Sequence, residues 1–299
     1  MIRIVTDSTC DLPDGELAQL DVHVVPIHLS FGSEEHQEGV TLSYEEFFRK
    51  VDALGIVPKT SQPSPGEFAA VYRQLASEGA TTILSLHVTG KLSGTVRSAE
   101  MAAEMVKDLV DVRVFDSLSG SAAVGFMVQE AVELLAQGAG ADQVLARWAA
   151  IRDHLGLFFY LDTLRYARMS GRVGALQSSL ASMLRIKPLI VLEDGLLTVA
   201  ERVRSRKAAL NRLVELAVEQ AAGRRVNLAV VHAEDLAAGQ ALLSQARQAM
   251  DCQRTFICRL ATSLVTNLGV GTLGIVLYPV DSQPPGALAQ ELSSESIHG

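Results

Sequence analysis

Three short aliphatic runs, residues 2–5, 82–88 and 112–115, each pass straight into small polar residues, and this repeated arrangement limits the fold more than any other feature of the chain. The endings are Thr6-Asp7-Ser8-Thr9, Thr89-Gly90-Lys91-Leu92-Ser93-Gly94-Thr95 and Asp116-Ser117. Between the runs, helical periodicity covers 44–54, 65–77, 96–110 and 122–137, several times with Thr, Ser or Asp just before the first turn. Short strands alternating with helices are the pattern of a mostly parallel sheet covered on its faces. In such open sheets the ligand crevice lies outside the carboxyl ends of the strands, so the three polar turns are expected to converge on one site.

A helix over 141–155 leads into a strand at 157–161 and a second half of the same kind. Its expected elements are a helix over 163–169 that stops at Ser170-Gly171-Arg172, a helix through Met183, and strands 188–192 and 196–203 joined by Glu193-Asp194-Gly195. A helix over 205–222, a strand over 226–232, a helix over 236–250, a strand near 255–260 and a last strand at 273–278 complete it. With 299 residues the chain is long enough for two ordinary domains. The expectation is an α/β protein of two domains. Residues 1–156 form a Rossmann-like three-layer unit with a mostly parallel sheet, 157–281 an α/β sandwich, and 282–299, rich in Pro, Ser and Gly, a flexible tail.

Charge and cysteine content narrow the function classes. A net charge of −8 argues against broad adhesion to nucleic acid or an anionic membrane, which needs a surplus of Lys and Arg facing the polymer. Residues 165–212 nevertheless hold ten Lys/Arg against three Asp/Glu, a local +7 that leaves −15 elsewhere. That segment is either a solvated face or a docking surface for an acidic protein or for a nucleotide's phosphates. Cys10, Cys252 and Cys258 offer neither a disulfide framework nor a paired zinc site, and a charge at Arg3 interrupts any export signal, so a reducing cytoplasm is expected. Residues 260–280 run 21 positions without a charge, yet Thr262, Ser263, Thr266, Asn267 and Thr272 fit a polar loop before a buried strand better than a membrane helix.

Most local motifs fail on context. Gly269-Val270-Gly271-Thr272-Leu273-Gly274 spells a dinucleotide fingerprint but precedes a strand instead of opening a helix. The 89–95 turn lacks the Walker order, and what it retains is a Gly-rich entry to a helix, a seat for a small carboxylate or phosphate with Ser93 donating. As a hydrolase nucleophile Ser93 would need glycine where Lys91 stands, and no histidine is visibly paired with an acid to serve as its base. Asp7 fits a turn cap better than a magnesium ligand, and His23, His28 and His36 lack ligand spacing, so no metal is expected. The stiffened stretch Thr60-Ser61-Gln62-Pro63-Ser64-Pro65 reads by itself as a helix-entry loop.

Taken together these segments resemble the DegV family, whose members include the fatty-acid-binding subunit of bacterial fatty acid kinase. The resemblance rests on Thr6-Asp7-Ser8-Thr9 with Asp11-Leu12-Pro13, on Thr60-Ser61-Gln62-Pro63-Ser64, and on Leu92-Ser93-Gly94-Thr95. It continues through Ser170-Gly171-Arg172-Val173 with Ile186-Lys187-Pro188, and Asp194-Gly195 leading to Arg202-Val203-Arg204-Ser205-Arg206. It implies a non-catalytic protein that buries one long-chain fatty acid, such as palmitate, between its two domains, without a cofactor, and presents it to a separate kinase that forms the acyl phosphate. Carried onto this chain, the carboxylate-binding positions are Thr60, Ser93, Gly94 and Asn267, with Ser61, Thr95, Asp116 and Ser117 as further lining. Arg172, Arg202, Arg204 and Arg206 are the partner-docking positions. One departure stands out: Asn267 occupies the place of the family's usual histidine, and an amide can donate a hydrogen bond but carries no charge. A lipid carrier or sensor without a phosphorylation role is therefore the alternative, and a serine hydrolase using Ser93 the third.

Overall fold

In a computed structural model of the chain, residues 1–170 and 187–282 are described. The helix expected through Met183, Arg172 and positions 283–299 of the expected tail lie outside these residues. A four-stranded, wholly parallel sheet has the order β2 (Val22–Val25), β1 (Ile2–Asp7), β6 (Thr82–His87), β7 (Asp111–Asp116). The strands β1, β6 and β7 are the three aliphatic runs, so their polar endings lie side by side at one edge, as expected. Alternation along them separates two faces. Val5 and Ile83 pack with Phe68 and Tyr72 of α2 (Pro65–Ser77) and Ala99 and Ala102 of α3 (Thr95–Val106). Ile4, Leu84 and Leu86 pack instead against α4 (Ala122–Ala136), which completes the three layers.

Every residue of α4 from Ala122 to Gln129 is buried, because the helix is sandwiched between this sheet and a second one. Helices that are apolar all round have this kind of position. The second sheet has six strands in the order β10 (Leu196–Val203), β9 (Lys187–Glu193), β8 (Gly156–Tyr160), β13 (Leu273–Pro279), β11 (Val226–His232), β12 (Cys252–Arg259). It is mixed, with only β11 and β12 parallel. Leu157, Phe159, Ala229, Val231 and Val276 face α4 and α5 (Ala141–His154), whereas Phe158, Tyr160, Leu228, Val230 and Ile275 pack on the outer helices α7 (Arg206–Ala221) and α8 (Leu236–Ala249). The Asp194-Gly195 turn has φ of 47° and 76°, the pair of positive values a two-residue hairpin requires.

Between β2 and α2 the chain forms, besides α1 (Tyr44–Leu54), a third, antiparallel sheet of β4 (Glu34–Gln37), β3 (His28–Phe31) and β5 (Lys59–Ser61), which no periodicity in the sequence announces. The polar loop expected after residue 260 is likewise corrected: Thr262–Leu268 form a short helix, α9, and α6 (Arg165–Ser170) packs against it. The Thr262 and Thr266 hydroxyls and the Asn267 Nδ2 find acceptors inside the protein, which lets a polar segment be helical and buried. Among the described residues no helix is long and apolar enough to cross a membrane.

Candidate functional site

The first and second polar turns are tied together by a buried hydrogen-bond chain. Asp7, at the end of β1, accepts through Oδ1 from the Thr9 hydroxyl (2.6 Å) and amide (3.0 Å) and through Oδ2 from the Val88 amide (2.9 Å), and His87 Nδ1 lies 3.1 Å from the same Oδ2. Burial works to raise the Asp7 carboxyl, but His87, Thr9 and the Val88 amide outweigh it and hold the group below its ordinary range. The chain continues from His87 Nε2 to Ser85 Oγ (2.7 Å) and on to the Tyr72 hydroxyl (2.7 Å). Ser, His and Asp are thus connected as in a hydrolase, yet Ser85 is fully buried and its other contact is Tyr72, so the arrangement braces β1 against β6. Ser93, the nucleophile weighed from the sequence, has Thr95 as its side-chain partner, at 2.8 Å, and not a histidine.

Thr9 and Val88 form the floor of a cavity of about 120 Å³. Leu92, Ser93 and Gly94 come from the turn that opens α3; Thr60 and Ser61, with Gln62, come from β5; Ile27 precedes β3. Leu197 of β10, with Ser263 and Asn267 of α9, completes the lining. Thr60 and Ser93 are 33 positions apart, one on β5 and the other in the turn after β6, and the cavity is where they meet. A Cβ at position 94 would come within 2.9 Å of the Gln62 amide group, so glycine there lets the Gln62 side chain lie against the turn. Gly195 makes the second close approach: its carbonyl accepts from the Thr89 hydroxyl at 3.0 Å, and a Cβ would fall 2.4 Å from that oxygen. The β9–β10 hairpin is thereby seated on the β6–α3 turn.

Two buried carboxyl groups anchor the wall formed by α9. Glu38, just past β4, accepts from the Thr262 hydroxyl (2.7 Å) and the Ser263 amide (2.6 Å) with one oxygen and from Ser8 (2.5 Å) with the other. Asp11 accepts from the Ala261 amide (3.1 Å) and from Ser121 (2.5 Å). Burial pushes both up, Asp11 well above the carboxylate range. Asn267 donates through Nδ2 to the Ser263 carbonyl at 2.9 Å, and this leaves Asn267 Oδ1 and Ser263 Oγ buried without a hydrogen-bond partner.

Of the positions named from the sequence, Thr60, Ser61, Ser93, Gly94 and Asn267 line this cavity. Thr95 stands one hydrogen bond behind Ser93. Asp116 and Ser117 do not line it, and this corrects their expected place: the Asp116 carboxylate accepts from the Gly90 and Leu118 amides, and Ser117 Oγ accepts from the Ser119 amide. Both are taken up in shaping the turns. Thr9 comes from the first polar turn expected at the site, whereas nothing in the sequence reading points to Ser263 or Leu197. For Ser263 the signal was present, since it stands four residues before Asn267, the spacing of one helix face. Arg202 and Arg204 are exposed at the end of β10, while Arg206 pairs with Asp235 beside the Tyr160 ring. A volume of 120 Å³ is below the roughly 300–1,000 Å³ of whole small-molecule sites, and suits a headgroup.

Comparison with known proteins gives a consistent answer. The model of a family described as "Uncharacterised protein, DegV family" matches residues 1–280. A DegV domain-containing protein of Deinococcus radiodurans is 38% identical over 286 residues, 94% of this chain and 99% of that one. A DegV family protein of Thermus thermophilus, described for its fatty acid binding, superimposes with a TM-score of 0.87 at 35% identity, over 93% of this chain and 99% of its own. DegV of Bacillus subtilis, described as a fatty acid binding protein, gives 0.84 at 29% identity over 93% and 99%.

Proposed function

The chain belongs to the DegV family, and from that premise we propose that it binds one long-chain fatty acid, such as palmitate, with the carboxyl group in the cavity between Thr60 and Ser93. The observation that carries this reading is the meeting of those two hydroxyls beside the opening of α3. A helix N-terminus offers unpaired amides and the positive end of its dipole, and hydroxyls can donate to a carboxyl oxygen from either side. The fatty-acid-binding relatives from Thermus and Bacillus support it at the level of the whole chain. The acyl tail leaves the seat past Ile27, Leu92 and Leu197, between a domain of residues 1–156 and one of 157–281. The protein does no chemistry itself and needs no cofactor. It works in the cytoplasm, where a separate kinase docks on Arg172, Arg202 and Arg204, with Arg206 at the edge of that face, and phosphorylates the presented carboxylate. Extraction of purified protein under denaturing conditions, followed by lipid mass spectrometry, tests the binding.

A second reading is favoured by Asn267. A neutral amide can hold a carboxyl group, but it does not balance the charge that an acyl phosphate adds. On this view the protein carries or senses a lipid without handing it to a kinase. Reconstitution with a fatty acid kinase separates the two, since acyl phosphate made from the bound acid excludes the carrier reading.

A further inference from the structure

We propose that the protein has a second binding site, separate from the fatty acid seat, for a small amphiphilic organic cation: an ammonium group carried on an apolar body. The site is a crevice where the carboxyl ends of two parallel strand pairs meet, β1 with β2 and β11 with β12. Such strand ends are where open α/β sheets take their ligands. The turn after β1, the end of β2 and the segment after β12 enclose an apolar chamber of about 410 Å³, lined by Leu12, Leu17, Val24, Leu42 and Leu260. Two carboxyl groups of that lining, Asp11 and Glu38, are hydrogen-bonded within the protein, and burial pushes both toward the neutral form, so they put no charge into the chamber. An acidic mouth of about 360 Å³ adjoins the chamber at Asp14 and Arg259, which line both. Each volume falls in the roughly 300–1,000 Å³ range of small-molecule sites.

Charge and an unused side chain at the mouth identify the ligand. Asp14, Glu45 and Glu234 set three exposed carboxylates against one guanidinium. Arg259 is already occupied: it reaches Glu45 at 2.6 Å and Asp14 at 3.2 Å, and lies over the Tyr44 ring at 4.8 Å. Glu234 has no ion pair among the described residues, so an excess of negative charge remains. His232, at the end of β11, is 6% exposed and has no hydrogen-bond partner among the described residues. Its Nδ1 is closed off from the surface, so the ring meets the mouth that it lines with its Nε2 edge. Burial and the Arg259 charge hold this histidine below its ordinary range, which leaves it neutral near pH 7 and no obstacle to a cation. An ammonium group has three donors, which the carboxylates and a neutral imidazole nitrogen can accept, while its apolar body fills the chamber. Of the other cations nearby, Arg206 is held by Asp235, and Arg49, one helical turn from Glu45, lines neither cavity. Among the described residues no group of three His, Cys, Asp or Glu is placed to hold a metal ion, so the acids suit an organic cation.

The test follows the methyl and histidine-ring NMR signals of the protein while hexylammonium chloride is added, with hexanol as the uncharged control. Saturable shifts are expected at His232, Leu42 and Leu260, ahead of any at Ile27 and Leu197 in the fatty acid seat. Hexylammonium should bind about fivefold more tightly than hexanol, the size of effect that exposed charges produce. Glu234→Gln should weaken hexylammonium about threefold, and Glu234→Lys should erase its advantage over hexanol. Both variants change an exposed side chain, so the fold and the fatty acid content should stay as in wild type. Shifts confined to Ile27 and Leu197, equal affinity for hexanol, an advantage that survives Glu234→Lys, or no saturable shift up to about 10 mM overturns the inference.

Discussion

The amide of Ser263 donates to Glu38 across 2.6 Å, joining residues 225 positions apart. The helix that carries Asn267 is held in this way by a carboxyl group just past β4, a strand of the small antiparallel sheet to which Thr60 of β5 also belongs. Glu38 therefore positions one wall of the seat without lining it.

Removing that group and neutralising it should have different effects. Glu38→Ala strands the Ser263 amide and the Thr262 and Ser8 hydroxyls in the interior, at a cost on the order of 3 kcal/mol. Glu38→Gln keeps an acceptor for α9. Because burial raises the folded-state value of Glu38, wild-type stability from this group is greatest below the unfolded value, about 4.3, and declines as pH rises through the folded one. Urea unfolding at pH 4.5 and 8 should show Glu38→Gln gaining on wild type at the higher pH. A gap that widens against the glutamine with rising pH contradicts the assignment.

Asp7 has the opposite sign. Its folded-state value is held down, so its contribution is present above the unfolded value of about 3.9 and fades as pH falls through the lower folded value. Asp7→Asn should be less stable than wild type near neutrality, by about 2–3 kcal/mol for a broken buried network, and the difference should shrink below about pH 4. Denaturant midpoints measured from pH 3 to 7 check this.

Ser93→Ala and Thr60→Ala each remove one donor from the headgroup. A hydrogen bond of about 1–1.5 kcal/mol corresponds to a loss of roughly five- to tenfold in lipid affinity. Neither hydroxyl supports the core, so Tm should stay within about 2 °C of wild type. Competition with a fluorescent fatty acid measures the affinity, and retention of full affinity by both variants would remove the pair from the site.

How much of this could be read beforehand depended on where the partners were. The strands β1, β6 and β7 announced themselves because an aliphatic run stopping at polar residues is a local pattern, and Ser93 was visible as part of it. Thr60 was not: three residues of β5, Lys-Thr-Ser, show no periodicity, and only the family motif singled it out. The helix α9 was hidden for a physical reason. Thr262, Ser263, Thr266 and Asn267 look like a loop until Glu38 and Asp11 arrive from more than 200 positions away to accept from the Thr262 hydroxyl and the Ser263 and Ala261 amides that open the helix. Asp116 was misplaced by the reverse logic, since its strand-end position resembles that of Asp7 but its carboxylate is occupied by its own neighbouring turns.

The exposed Arg202 and Arg204 separate docking from binding. Charge reversal at both should leave lipid content unchanged, because neither touches the cavity, and should reduce acyl phosphate formation with a fatty acid kinase by tenfold or more, as expected when a rim charge meets its own sign. Unaltered turnover would remove this face from the account.

The central claim is that the chain holds one fatty acid at the seat formed by Thr60 and Ser93. Native mass spectrometry of purified protein, with the released ligand identified after denaturation, tests it most directly. The account predicts one long-chain fatty acid per chain in wild type and a sharply reduced bound fraction in the Thr60→Ala, Ser93→Ala double variant. A folded protein that carries no fatty acid and takes none up when it is supplied would contradict it.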